Sequence, residues 1–111
     1  MLSKDSELRK VYGINKEQEL CICKFLQGCV YCWCNISTDE WFSLRDLMGG
    51  ENYYWEGTPL YCLYEKHQDK ETAVKDAGKD AGWLLKKVLE EDPRKFDTKV
   101  EGLVRKYKWI D

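Results

Sequence analysis

Residues 15–35 read NKEQELCICKFLQGCVYCWCN. Residue type and residue spacing pull this stretch in opposite directions. Cys, Ile, Phe, Val, Tyr and Trp favour a strand, and Gln27-Gly28 could turn a hairpin. At about 100° per residue, however, Lys16, Glu17, Lys24, Gln27, Gly28 and Asn35 fall within an arc of about 120°. Cys21, Ile22, Phe25, Leu26, Cys29, Cys32 and Trp33 fall on the other side. Asn15, with Gln18 three residues on, has the form of a capping box. The spacing therefore predicts one long Cys-rich helix of about 20 residues, roughly 30 Å long. The alternative is an α+β chain with a hairpin over 20–36. Gly28 costs a helix up to about 1 kcal/mol, so close packing is a reason to have it there.

Helix signals recur on both sides of this stretch. SKDSELRKVYG (3–13) reads as a short helix with Leu8, Val11 and Tyr12 as its stripe and Gly13 ending it. Ser37 to Glu40 has the form of a second capping box, opening a helix with Trp41, Leu44 and Met48 and closing at Gly49-Gly50. ENYYWEG (51–57) is bounded by glycine and reads as a loop. Thr58 caps, and Pro59 begins, a helix through TPLYCLYEKHQ. KETAVKDAGKDAGWLLKKVLEEDP (70–93) is the clearest helix, with Val74, Ala77, Ala81, Leu84 and Val88 at alternating steps of three and four. Its tandem KDAG puts Ala77-Gly78 and Ala81-Gly82 on successive turns, a smooth helix-packing interface. Thr98 and Glu101 have the form of a last box, opening a helix with Val100, Leu103, Val104 and Tyr107. The expected fold is all-α: a compact array of about six helices in a single globular domain spanning 1–111.

Composition narrows the class. The chain has 111 residues, 43% apolar and 34% charged, which is too apolar for disorder. No apolar run reaches the roughly 18 residues of a membrane span. MLSKDSELRK carries Asp5 and Glu7 and lacks an apolar signal core, so a cytoplasmic location is expected. The net charge is −2 and the isoelectric point about 5.5. That balance argues against nucleic acid as a partner, although Arg94, Lys95, Lys99, Arg105, Lys106 and Lys108 could meet phosphates in a helix-turn-helix.

Six cysteines invite a metal reading. Cys29-x-x-Cys32 has the spacing of a zinc-binding pair, and Cys62 or Cys34 could join it. Against this, Cys32 and Cys34 stand about 200° apart on a helix, and Cys21 lies about 16 Å along the axis from Cys32. Buried free thiols, no metal and no cofactor are expected. His67, the single histidine, stands near a predicted helix C-terminus, where it complements the dipole. A pair with Cys62 would leave the two about 140° apart. No catalytic residue is assigned.

The segment Glu51-Asn52-Tyr53-Tyr54-Trp55-Glu56 combines adjacent rings with acids. Such materials suit a cationic ligand or a protein contact, with Glu51, Tyr53, Tyr54, Trp55 and Glu56 as the contacting residues. The function expected is a non-enzymatic interaction domain. It would self-associate as a homo-oligomer through the aromatic loop or the Ala77, Gly78, Ala81, Gly82 strip. A small-molecule binder or enzyme with an aromatic and acidic pocket is the first alternative, and a helix-turn-helix DNA binder the second.

YCWCNISTDEWFSLRDLMGGENYYWEGTPLYCLYEKH (31–67) resembles small uncharacterised bacterial proteins of mobile gene cassettes such as integron arrays. The resemblance implies a bacterial origin. It transfers no catalytic or binding residue.

Overall fold

A computed structural model describes residues 1–4, 7–36, 39–50 and 55–110. The long helix is present as α1 (Lys16–Ile36), 21 residues without a break. Its capping box forms in both directions: the Gln18 amide donates to Asn15 Oδ1 at 2.8 Å, and the Asn15 amide donates to Gln18 Oε1 at 2.9 Å. The hairpin over 20–36 is thereby excluded.

The rest of the chain corrects the all-α expectation. Among the described residues there are three further helices, α2 (Leu44–Leu47), α3 (Tyr61–His67) and α4 (Ala73–Glu91). They are followed by an antiparallel hairpin, β1 (Phe96–Glu101) and β2 (Val104–Trp109). The predicted C-terminal helix over 98–110 is this hairpin. Val100, Leu103, Val104 and Tyr107 matched a helical period by coincidence. In the structure Val100 is exposed and Leu103 fully so, while Tyr107 is buried. The operative period is two: Phe96 and Thr98 on β1 turn to the core opposite Trp109 and Tyr107 on β2. Gly102 makes the two-residue turn possible. It sits at φ +65 while Leu103 keeps a negative φ, the pattern of a type II′ turn.

Single-residue bridges widen the hairpin on both edges. Leu2 pairs in parallel with Phe96, and Phe42 pairs antiparallel with Tyr107. The first bridge removes the predicted helix over 3–13, because Leu2 rather than Leu8 enters the core. Gly13 does take a positive φ, +82, but it caps no helix. A Cβ there would stand 3.0 Å from Lys66 Cδ, so the glycine lets that side chain cross the turn into α1. The second bridge shortens the helix expected after Ser37. Ser37 and Thr38 lie outside the described residues, and the observed capping box is Ser43 with Asp46, opening α2.

The core gathers around α4, which meets α1, α2 and α3. Ile22, Leu26, Val30 and Cys34 face it from α1, joined by Leu60, Leu63, Phe42, Phe96 and Tyr107. Phe42 packs edge-on to Phe96 with centroids 6.2 Å apart, and lies 6.0 Å from Tyr107. On α4 the buried series is Ala73, Ala77, Ala81, Leu84, Leu85, Val88 and Leu89, whereas Val74 is exposed.

A polar clasp fixes the hairpin to the helices. The Asp92 side chain, where α4 ends, is fully buried. Arg94 Nε and Nη2 donate to it at 3.0 and 2.7 Å, the Arg94 amide at 2.8 Å and Gln27 Nε2 of α1 at 2.6 Å. Burial alone would raise this carboxyl. The hydrogen bonds from Arg94 and Gln27 outweigh it and hold the pKa at about 2.

Candidate functional site

The sequence gives α1 a wider apolar arc than one core contact can cover. The buried line Ile22, Leu26, Val30, Cys34 is turned by roughly a quarter of a helical turn from the arc read off the sequence. Cys21 and Cys32 are left exposed, Phe25 and Cys29 half-buried, Gly28 open and Ile36 84% exposed. Those residues repeat at steps of four and three along the outer side of α1.

All of them but Cys21 line, together with α2, a groove of about 650 Å³. Lys24, Phe25, Gly28, Cys29, Cys32, Trp33 and Ile36 contribute from α1, and Asp46 and Leu47 from α2. A Cβ built on Gly28 meets nothing within 4 Å, so the glycine is not tucked under another part of this chain. Trp33 packs on Phe42 at 5.7 Å between centroids. Its indole nitrogen is sealed from solvent with no hydrogen-bond partner among the described residues. Burial pushes the Cys29 thiol up, and Cys32 beside it adds to the effect. The Cys29 thiol is a packing group at neutral pH, not a thiolate.

The residues singled out from sequence are distributed differently. Glu51, Tyr53 and Tyr54 lie outside the described residues. Trp55 is half-buried against the core, and its carbonyl accepts from the Thr58 hydroxyl at 2.8 Å; Glu56 is exposed. Ala77 and Ala81 are wholly inside this chain's own core. Gly78 and Gly82 are half-buried, with nothing within 4 Å of an added Cβ.

Cys29 and Cys32 line the α1 groove, whereas Cys62 lines a second cleft of about 450 Å³ with Cys21, Glu17 and Glu65. All six cysteines are free. Among the described residues no three His, Cys, Asp or Glu side chains converge in a metal-holding group. Cys62 Sγ lies 3.4 Å from the Pro59 carbonyl, and burial pushes its thiol up. His67 does not engage it. The imidazole Nε2 is 2.8 Å from Asp80 Oδ2, an oxygen also bound by Lys66 Nζ at 2.7 Å. Lys66 donates in addition to the Tyr12 carbonyl, so the cluster ties the N-terminal segment to α3 and α4.

The cations of the helix-turn-helix alternative occupy no helix. Arg94 is held by Asp92, Lys99 and Lys106 both pair with Glu101, and Arg105 donates to Thr98 Oγ1 at 3.2 Å. No helix among the described residues is long and apolar enough to cross a membrane. No protein-family model, curated protein or solved structure matches this chain.

Proposed function

We propose that this chain is a non-enzymatic interaction domain that associates with a second copy of itself through the outer side of α1. The observation that carries the reading is the groove beside α1, apolar along its length and open at Gly28. The occupant is a second α1 laid antiparallel across that glycine. In this register Phe25 of one copy meets Cys32 of the other, Cys21 meets Ile36, and Gly28 meets Cys29. A two-fold arrangement makes each contact twice, which is how a self-complementary surface closes. Charge complementarity favours the same pairing. Lys24 and Asp46 both line the groove, so two copies offer each other opposite charges. Glycine at the crossing lets the two backbones approach, which accounts for a residue that only weakens an isolated helix.

Sedimentation equilibrium over a range of concentrations tests this. The wild-type chain is expected to dimerise, and Gly28→Glu to remain monomeric with an unchanged far-UV spectrum, since an added side chain there has open space in the monomer. Mild oxidation should link the dimer through Cys29, which lies beside the two-fold crossing, and not through Cys32, which faces Phe25. A wild-type chain that stays monomeric to about 1 mM, the weak limit of specific association, overturns the proposal.

A further inference from the structure

A second feature lies away from the α1 groove. α1 and α3 both pack on α4, and the cleft of about 450 Å³ runs between them. Cys21 lines it from α1, and Cys62 lines it from the first turn of α3. Cys21 is close enough for its charge to bear on Cys62. The first thiol is exposed and the second half-buried, and both are free. The Cys62 thiol donates to the Pro59 carbonyl at 3.4 Å, a weak bond that holds it on its own helix. Rotation about its Cα–Cβ bond releases it into the cleft that it already lines. Metal binding does not account for the pair, because among the described residues no third ligating side chain converges with them. Nucleophilic catalysis does not account for it either. Burial, then the Glu65 carboxylate, pushes the Cys62 thiol up, away from a thiolate at neutral pH.

Two thiols on facing walls of one cleft, with neither metal nor base, have each other as reaction partners. We propose that Cys21 and Cys62 form a reversible disulfide that clamps α3 to α1 across the cleft, with a low-molecular-weight disulfide such as oxidised glutathione as the oxidant. Cys21, the open thiol, reacts first. It gives its proton to solvent and attacks a sulfur of oxidised glutathione, and one glutathione leaves as a thiolate and takes up a proton. The Cys62 thiol then loses its proton, attacks the Cys21 sulfur and expels the second glutathione in the same way. The cysteine pair is oxidised by two electrons, and the glutathione disulfide is reduced to two thiols. A disulfide asks for α-carbons within about 7 Å and β-carbons turned together. α3 is the wall that closes to meet this, being seven residues long and preceded by the turn at Gly57, where φ is +80. Cys29 and Cys32 line the α1 groove and take no part.

The test is peptide mapping by mass spectrometry after incubation with oxidised glutathione, for wild type, Cys21→Ser and Cys62→Ser. Dilute, monomeric protein is used. Dilution leaves Cys21 open whichever way α1 pairs, and it suppresses links between copies. In wild type the peptides holding Cys21 and Cys62 are expected to be joined, lighter than their sum by two hydrogen atoms. Cys62→Ser should instead keep glutathione on Cys21, the intermediate that Cys62 resolves in wild type. Cys21→Ser should leave Cys62 unbridged. Cys32, also exposed, should carry glutathione in all three chains, which shows that the reagent acted. Serine nearly matches cysteine in size, and far-UV spectra check that both variants are folded. The bond closes a loop of roughly 40 residues, so the oxidised chain should melt about 10 °C above the reduced one, and dithiothreitol should reverse the gain. Wild type that keeps glutathione on Cys21, a bond that maps to another pair, or an oxidised chain that melts no higher than the reduced one overturns the proposal.

Discussion

Replacing Asp92 by Asn should destabilise the fold at neutral pH and hardly at all near pH 2. The Asp92 carboxylate accepts four hydrogen bonds, three from Arg94 and one from Gln27. Its side chain is fully buried and that of Arg94 is 19% exposed, so solvent screens the pair little. The carboxyl falls from an ordinary 3.8 to about 2. At about 1.4 kcal/mol per pH unit, that gap is worth about 2 kcal/mol. The sign follows from the direction. A carboxyl held low in the folded state contributes its full stability above pH 3.8 and loses it as pH falls towards 2. Asp92→Asn should therefore lower stability by about 2 kcal/mol at pH 7, or about 8 °C in Tm for a chain of this length. The assay is urea unfolding of wild type and variant at pH 7, 5, 3 and 2. Asp76, Asp97 and Glu101 are also held low, but they are common to both proteins and cancel in the difference. The difference should shrink towards zero at the acid end, where protonated Asp92 resembles the amide. A gap that stays constant from pH 7 to pH 2 would refute the clasp as the source of the stability.

Two further outcomes follow from local geometry. Gly102→Val should cost of order 1–3 kcal/mol, because φ +65 at the first turn position excludes a branched side chain. Hydrogen exchange should then show the ends of β1 and β2 nearest the turn opening first, while α1 keeps its protection. Pulsed alkylation read by mass spectrometry should modify Cys21 and Cys32 first and Cys34 only on unfolding. Cys34 is 2% exposed and burial pushes its thiol up. Early labelling of Cys34 would mean that α1 is rotated about its axis from the arrangement described.

The long helix was legible because two independent signals agreed, an apolar period over 20 residues and an Asn15–Gln18 box at its start. The hairpin was hidden because 98–110 satisfies two periods at once. Val100, Leu103, Val104 and Tyr107 fit 3.6, while Phe96, Thr98, Tyr107 and Trp109 fit 2. A helix opening at Thr98 excludes Phe96, the residue that starts the alternation and is wholly buried. The two-residue Gly102-Leu103 turn between β-branched and aromatic runs was the available counter-signal. The N-terminal segment could not be resolved locally at all. Leu2 is fixed by a bridge to Phe96, 94 residues away, and no local period encodes such a contact.

Residue spacing alone favours the Ala/Gly strip over the α1 surface, for a physical reason. Small residues at helical spacing license close approach, but they do not say whether the approaching partner is another helix of the same chain. Here Ala77 and Ala81 are consumed by the core, and the half-buried glycines beside them are left facing space. On α1 the logic runs the other way. Its apolar arc is too broad for one contact, so once Ile22, Leu26, Val30 and Cys34 face inward, the surplus must face outward. Phe25, Cys32 and Ile36 could have satisfied a core equally well in isolation. Gln27 adds a polar contact that goes with the observed set, its side chain donating to the buried Asp92 carboxylate. That contact is made only at this rotation of α1, the one that leaves Phe25, Cys32 and Ile36 turned outward. Gln27→Leu should thus weaken more than the clasp: freed from Asp92, α1 can turn its Phe25 side inward, and dimerisation should fall along with stability. A Gln27→Leu chain that unfolds earlier yet dimerises as wild type does would separate the two, and would show that core packing alone fixes the rotation.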